Sequence, residues 1–175
     1  MSIGYKKAAD GFIVKLEILG ENNENRSGIK PEHVPFAKYR CSEALVLAIY
    51  HWKTGEPAIE VVSLSYGIIT WENGKIVDYG KVIYKMNEKV CIYNYDPNPD
   101  IICGPGIHYF KSEEPAIMYS ADSKNPPCKN YTGEQKSFFN NGRLSVACSY
   151  INGRKSGEYI SWYKTGELHS KGYYN

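Results

Sequence analysis

The chain has 175 residues, of which 42% are hydrophobic and 23% charged, with a formal net charge of +2. That is the composition of a soluble globular protein with one good core, or one core plus a small appended module. It excludes a membrane-spanning helix, because no apolar run approaches the ~20 residues a bilayer requires.

The opening stretch, "MSIGYKKAADGF", lacks the apolar segment of a secretory signal, so a soluble, intracellular protein is expected. Cys41, Cys91, Cys103, Cys128 and Cys148 are dispersed without a Cys-x-x-Cys pair. They read as reduced thiols, mostly in the core, with no zinc site and no other metal or cofactor expected.

In chain order, "FIVKLEIL" (12–19) alternates apolar and polar residues as a half-buried strand does. "ENNENRSGIKPEHVP" is punctuated by Pro and Gly and predicts a loop. "SEALVLAIYHW" (42–52) reads as a helix or a strand; the β-branched and aromatic end and the "KTGE" turn behind it favour the strand. "AIEVVSLSYGIITW", the "ENGK" turn at 72–75, "IVDYGKVIYKM" and "KVCIYNY" predict short strands joined as a meander, which "DPNPD" (96–100) ends. "SEEPAIMYSA" (112–121) is the clearest helix, with Ser112 placed to cap it and Pro115 in the first turn.

The polar "SADSKNPPCKN" (120–130) marks a boundary, because Pro126-Pro127 fits neither a helix nor a paired strand. The expected organisation is a β-rich domain over 1–122, a linker over 123–130 and a repeat module over 131–175. The fold class is α+β, predominantly antiparallel β. Charge divides at about the same place. Residues 1–127 hold 14 Lys/Arg against 16 Asp/Glu, whereas residues 128–175 hold 7 against 3.

"GEQKSFFNNGRL" at Gly133 returns 24 residues later as "GEYISWYKTGEL" at Gly157. The correspondence matches Glu134 with Glu158, Phe138 with Trp162, Phe139 with Tyr163, Gly142 with Gly166, Leu144 with Leu168 and Tyr150 with Tyr174. Each unit reads as a β-hairpin whose turn glycine takes a positive φ. The pattern Gly-Glu-x-x-x-aromatic-aromatic-x-x-Gly-x-Leu, followed by Tyr-x-Asn-Gly, resembles the MORN repeat (membrane occupation and recognition nexus) over about 131–175. The variant is one also found in bacterial proteins labelled as antitoxins. The resemblance implies an elongated hairpin array that mainly binds proteins or mediates assembly, phospholipid contact being less general.

"GYKKAADGFIVKLEI", "KYRCSEALVLAI", "VIYKMNEKV" and "CGPGIHYFKSEEPAIMY" are similar to a domain of unknown function common in giant DNA viruses and some phages. Cys103, Gly106, Ile107, His108, Tyr109, Phe110, Ala116 and Tyr119 carry that similarity. It implies a viral origin, with host cytoplasm as the compartment, and no particular activity.

Cys103 and His108 are the residues with chemistry to weigh. Across "GPG" a thiolate and an imidazole can meet as nucleophile and base. The other reading, which is preferred, has both fixing a tight turn with His108 hydrogen-bonded to backbone, since no third orienting group is legible. Asp96 and Asp100 lack the spaced oxygen ligands of a calcium loop. Phosphate-loop, dinucleotide, zincin and esterase motifs are missing.

The expected function is therefore a non-enzymatic binding or assembly module, with an enzyme using Cys103 and His108 as the alternative. Phe138, Arg143, Arg154, Lys155, Trp162, Tyr163, Tyr173 and Tyr174 are the candidate binding residues, and a protein is the expected partner. Tyrosines beside lysines also admit single-stranded nucleic acid or anionic lipid, but the repeat's packing accounts for the aromatics without a ligand. A hairpin array needs neighbours on both sides, and the C-terminal "GYYN" has none in the sequence. A two-fold homodimer through that edge is expected.

Overall fold

The computed structural model of the chain describes residues 1–64, 69–72, 75–78, 82–119, 127–128 and 130–175. Their regular structure is antiparallel β with a single short α-helix. β1 (Ser2–Lys7) and β2 (Phe12–Ile18) form a hairpin in register from Ser2↔Ile18 to Lys7↔Ile13. The alternation read in "FIVKLEIL" becomes an inner row, with Val14 and Leu16 fully buried. β3 (Tyr39–Cys41) and β4 (Glu43–His51) follow, so the ambiguous "SEALVLAIYHW" is a strand.

The expected meander does not continue past β4. β5 (Glu60–Val62) pairs with β8 (Ile83–Lys85), and β6 (Ile69–Glu72) pairs with β7 (Lys75–Asp78), so one hairpin is nested within another in sequence. The turn expected at "ENGK" falls on Asn73 and Gly74, which lie outside the described residues. β9 (Lys89–Cys91) then returns to β4, setting Val90 opposite Ala44 in the core, and the sheet order is β1-β2-β4-β9. The pairing is decided by burial of these apolar side chains, which outweighs the shorter loop that a meander would have.

β10 (Ile107–Tyr109) pairs with β3 and brings Tyr109 beneath the sheet, its ring 5.9 Å from that of Tyr39. α1 (Glu113–Met118) is shorter than predicted, and residues 120–121 of the expected helix lie outside the described ones. Ser112 stands at the N-cap position without a capping side-chain bond. Its Oγ instead donates to the Pro35 carbonyl at 3.1 Å and ties the helix to that loop.

The predicted loop 21–35 is ordered by buried polar side chains. Asn23 is 0% exposed and its Oδ1 accepts from the Arg40 amide at 2.8 Å. Glu24 accepts from Ser2 Oγ and Tyr109 OH, each at 2.7 Å, and pairs with Lys111.

The C-terminal module is a four-stranded sheet in chain order: β11 (Gly133–Phe138), β12 (Leu144–Ile151), β13 (Arg154–Trp162) and β14 (Leu168–Tyr174). The repeat is reproduced residue for residue. Gly133↔Tyr150 recurs as Gly157↔Tyr174, Phe138↔Leu144 as Trp162↔Leu168, and the irregularity at Ser137/Phe138 as one at Ser161/Trp162. Even the turn bonds recur, Gly142 N to Phe139 O and Gly166 N to Tyr163 O, both 2.8 Å. Gly142 (φ 82°) and Gly166 (φ 101°) take the left-handed conformation the hairpins require. Between the units, Asn152 (φ 50°) and Gly153 (φ 77°) make the mirror-image turn that suits strand twist.

The ribbon leans on the first module through its first hairpin. Phe138 stacks on Phe36 with ring centres 4.8 Å apart. The Asn140 carbonyl accepts from the Lys38 amide at 3.2 Å and from Arg26 Nη2 at 2.5 Å. The expected linker, 123–130, lies largely outside the described residues.

Candidate binding surface

Cys103 and His108 are not assembled as nucleophile and base. Cys103 is exposed, and no hydrogen bond joins it to His108 among the described residues. His108 sits on β10, half-buried, where its Nε2–H donates to the Ile102 carbonyl at 3.1 Å. Burial, aided by the charges of Lys38 and Lys6, lowers its pKa to about 3.

The ring is therefore neutral at physiological pH. As pH falls below its unfolded value near 6.5, the unfolded chain takes up the proton first. Native stability is then expected to drop by up to about 1.4 kcal/mol per pH unit until about pH 3. Histidine NMR checks the assignment: the His108 imidazole should hold its Nε2-protonated form from pH 8 to pH 5. A midpoint near 6.5 would refute it.

The adjoining loop is organised by Arg40, a side chain with 0% exposure. Its guanidinium donates to the carbonyls of Ile101 (2.6 Å), Asn98 (2.5 Å), Pro105 (3.1 Å) and Asp96. Asp96 and Asp100 serve turns rather than a cation. Asp96 Oδ1 accepts from the Asn98 amide at 2.9 Å, and Asn98 Oδ1 accepts from the Asp100 amide at 3.0 Å. Among the described residues no group of three or more His, Cys, Asp or Glu is placed to hold a metal ion, and no helix is long and apolar enough to cross a membrane.

The ribbon residues separate into two sets. Phe138 is taken up by Phe36, and Arg143 donates to the Thr165 carbonyl, fastening the first turn to the second. Lys155 Nζ lies 5.1 Å from the Tyr159 ring centre and 5.3 Å from that of Tyr174. Lys171 pairs with Glu158, and Lys136 with Glu134, so part of the basic surplus is met locally. Such exposed pairs contribute little stability.

The second set faces outward. Tyr173 is 74% exposed and Tyr174 41%, and Arg154 is exposed. Tyr163, 52% exposed, meets His169 edge-on at 4.6 Å. Trp162 lines an open groove of about 560 Å³ with Leu144, Thr165 and Gly166 on one side and Lys30 and His33 on the other. The Lys30 and His33 wall carried no signal in the sequence, because it comes from a loop more than a hundred positions away.

Taken together, the described residues define an antiparallel β protein with one short helix and a duplicated hairpin unit, the second unit largely uncovered. A family of unknown function, DUF5758, matches residues 1–116, and the chain belongs to that family. No curated protein and no solved structure matches the chain.

Proposed function

We propose that this chain is a non-enzymatic protein-binding module of the MORN-repeat type, whose second hairpin receives a polypeptide segment. The observation that carries this reading is the unequal use of two equivalent units. In the first, segment 33–38 docks on the hairpin turn: Phe36 covers Phe138, the Lys38 amide bonds the Asn140 carbonyl, and Gly142 lies under His33. The equivalents in the second unit are Trp162, Lys164 and Gly166, and no comparable segment covers them among the described residues. The open groove of about 560 Å³ that Trp162 lines offers an aromatic side chain to such a segment. The partner that fits is a turn-forming peptide carrying an aromatic residue just before a backbone donor, as "HVPFAK" does.

A peptide of the chain's own residues 31–38, titrated into the intact protein, tests this. It should shift the Trp162 indole resonance, assigned with Trp162→Phe, and a scrambled peptide should not. Failure to shift that resonance at millimolar peptide, or binding unchanged in Trp162→Ala, would defeat the proposal. Among the described residues β14 has a strand neighbour only on its β13 side, and that edge, with Tyr173, favours a second reading, strand pairing between two copies. Light scattering at tens of micromolar distinguishes it: a dimer lost on deleting residues 172–175 would make a second copy the partner.

A further inference from the structure

We propose that the recess between β1, the segment leading into β3, and β10 is a binding site for a phosphate-sized oxyanion, independent of the ribbon. It measures about 50 Å³ and is lined by Lys6, Lys7, Lys38, His108 and Tyr119 among others, with no carboxylate among the described lining residues. By the same measure one water needs roughly 10–15 Å³, so the space admits about three to five heavy atoms, which at its upper end is the five of a tetrahedral oxyanion and far short of a nucleoside.

The three lysines are not equivalent. Lys7 is already satisfied, its Nζ donating to the carbonyls of Ile117 (2.8 Å) and Pro127 (3.1 Å). Lys6 has no hydrogen bond or ion pair among the described residues, and its Nζ has only the Tyr84 ring, at 5.5 Å. Lys38 Nζ likewise has only the Tyr119 ring, at 5.2 Å. Burial, and then the charge of Lys38, lower the Lys6 pKa to about 8, which leaves it cationic at pH 7. His108, neutral there, adds no charge and supplies no counter-charge.

Buried charges are normally paired, because the desolvation they suffer is not otherwise offset. Lys6 and Lys38, both partly buried, line one small recess, repel each other and lack that pairing. An oxyanion supplies both missing interactions, with charge-assisted N–H···O bonds to Lys6 and Lys38. Inorganic phosphate and the terminal group of a small phosphomonoester share this chemistry.

Thermal unfolding of the full chain at pH 7 in increasing inorganic phosphate, against sodium chloride of equal ionic strength, tests the site. The wild type should show a saturable rise in Tm of about 5 °C or more at a hundredfold excess over Kd. Lys6→Met and Lys38→Met should each abolish that rise, and Lys6→Met should also start from a higher Tm, since it removes an unpaired, partly buried charge. Glycerol 3-phosphate run alongside identifies the source: an equal rise assigns the site to phosphomonoesters, no rise to the free anion. A wild type that does not respond to phosphate would overturn the proposal. So would an equal rise in Lys6→Met or Lys38→Met, since phosphate strengthens burial in any protein as a salt.

Discussion

Replacing Arg40 with methionine should cost about 3–5 kcal/mol of stability, the largest single-residue effect expected in the first module. Its guanidinium alone gathers four carbonyls from the 96–105 stretch, a segment with no strand or helix of its own. Methionine keeps much of the volume but leaves those carbonyls without donors, each at a desolvation cost of about 1–3 kcal/mol where water cannot reach it. Arg40→Lys should recover less than half of the loss. A single ammonium cannot reproduce the planar fork that reaches Ile101, Asn98 and Pro105 at once. Urea unfolding gives the magnitude, and limited proteolysis should show new cleavage within 96–105. A cost under about 1 kcal/mol for Arg40→Met would mean the loop holds itself.

The second large effect is a contrast between two glycines that the repeat makes equivalent. Gly166→Ala should cost about 1 kcal/mol, the strain of a side chain at positive φ. Its added Cβ would meet nothing firmer than the Arg143 guanidinium at 3.2 Å, the end of a flexible side chain. Gly142→Ala places the same carbon 2.2 Å from the His33 carbonyl oxygen and 2.9 Å from the Ala37 amide nitrogen, both backbone atoms. Neither can move without separating the hairpin from the first module, so the cost should rise to about 2–4 kcal/mol. Denaturant titration of the two variants side by side measures the difference. Equal costs would show that the hairpin is not seated on segment 33–37 in solution.

The parts of this fold that were legible in sequence are those whose partners lie close in the chain. The 24-residue repeat predicted the ribbon, its hairpins and both turn glycines, because each unit closes within about twenty positions. β2 and β4 showed themselves by apolar patterning and by a turn behind them. The return of β9 to β4 was not visible, since three residues, "KVC", carry too little pattern to choose between neighbours.

Buried polar groups were hidden for a different reason. Arg40 and Lys6 stand in "KYRC" and "GYKK" as any surface cation would, and nothing local indicates that carbonyls 56 to 65 positions away, or a recess, await them. Phe138 misled in the opposite direction. Its place in the repeat made it a candidate binding residue as well as a packing one, and it is Phe36, from a loop with no pattern of its own, that stacks on it.

The residue-for-residue recurrence of the ribbon register has a consequence for how binding strength would be set under the proposed function. Each unit adds two strands, which advances the sheet by roughly 10 Å. Successive turns therefore stand along one side like marks on a ruler, at a spacing fixed by backbone geometry rather than by side chains. Under the proposed function, segment 33–38 of the chain fills the first mark and leaves the second to a partner, so a second point of attachment, at high effective concentration, would come only with a further unit. On that reading each further 24-residue unit would add avidity without inventing a new contact, and the number of open units, not the sequence of any one, would be the quantity that tunes it.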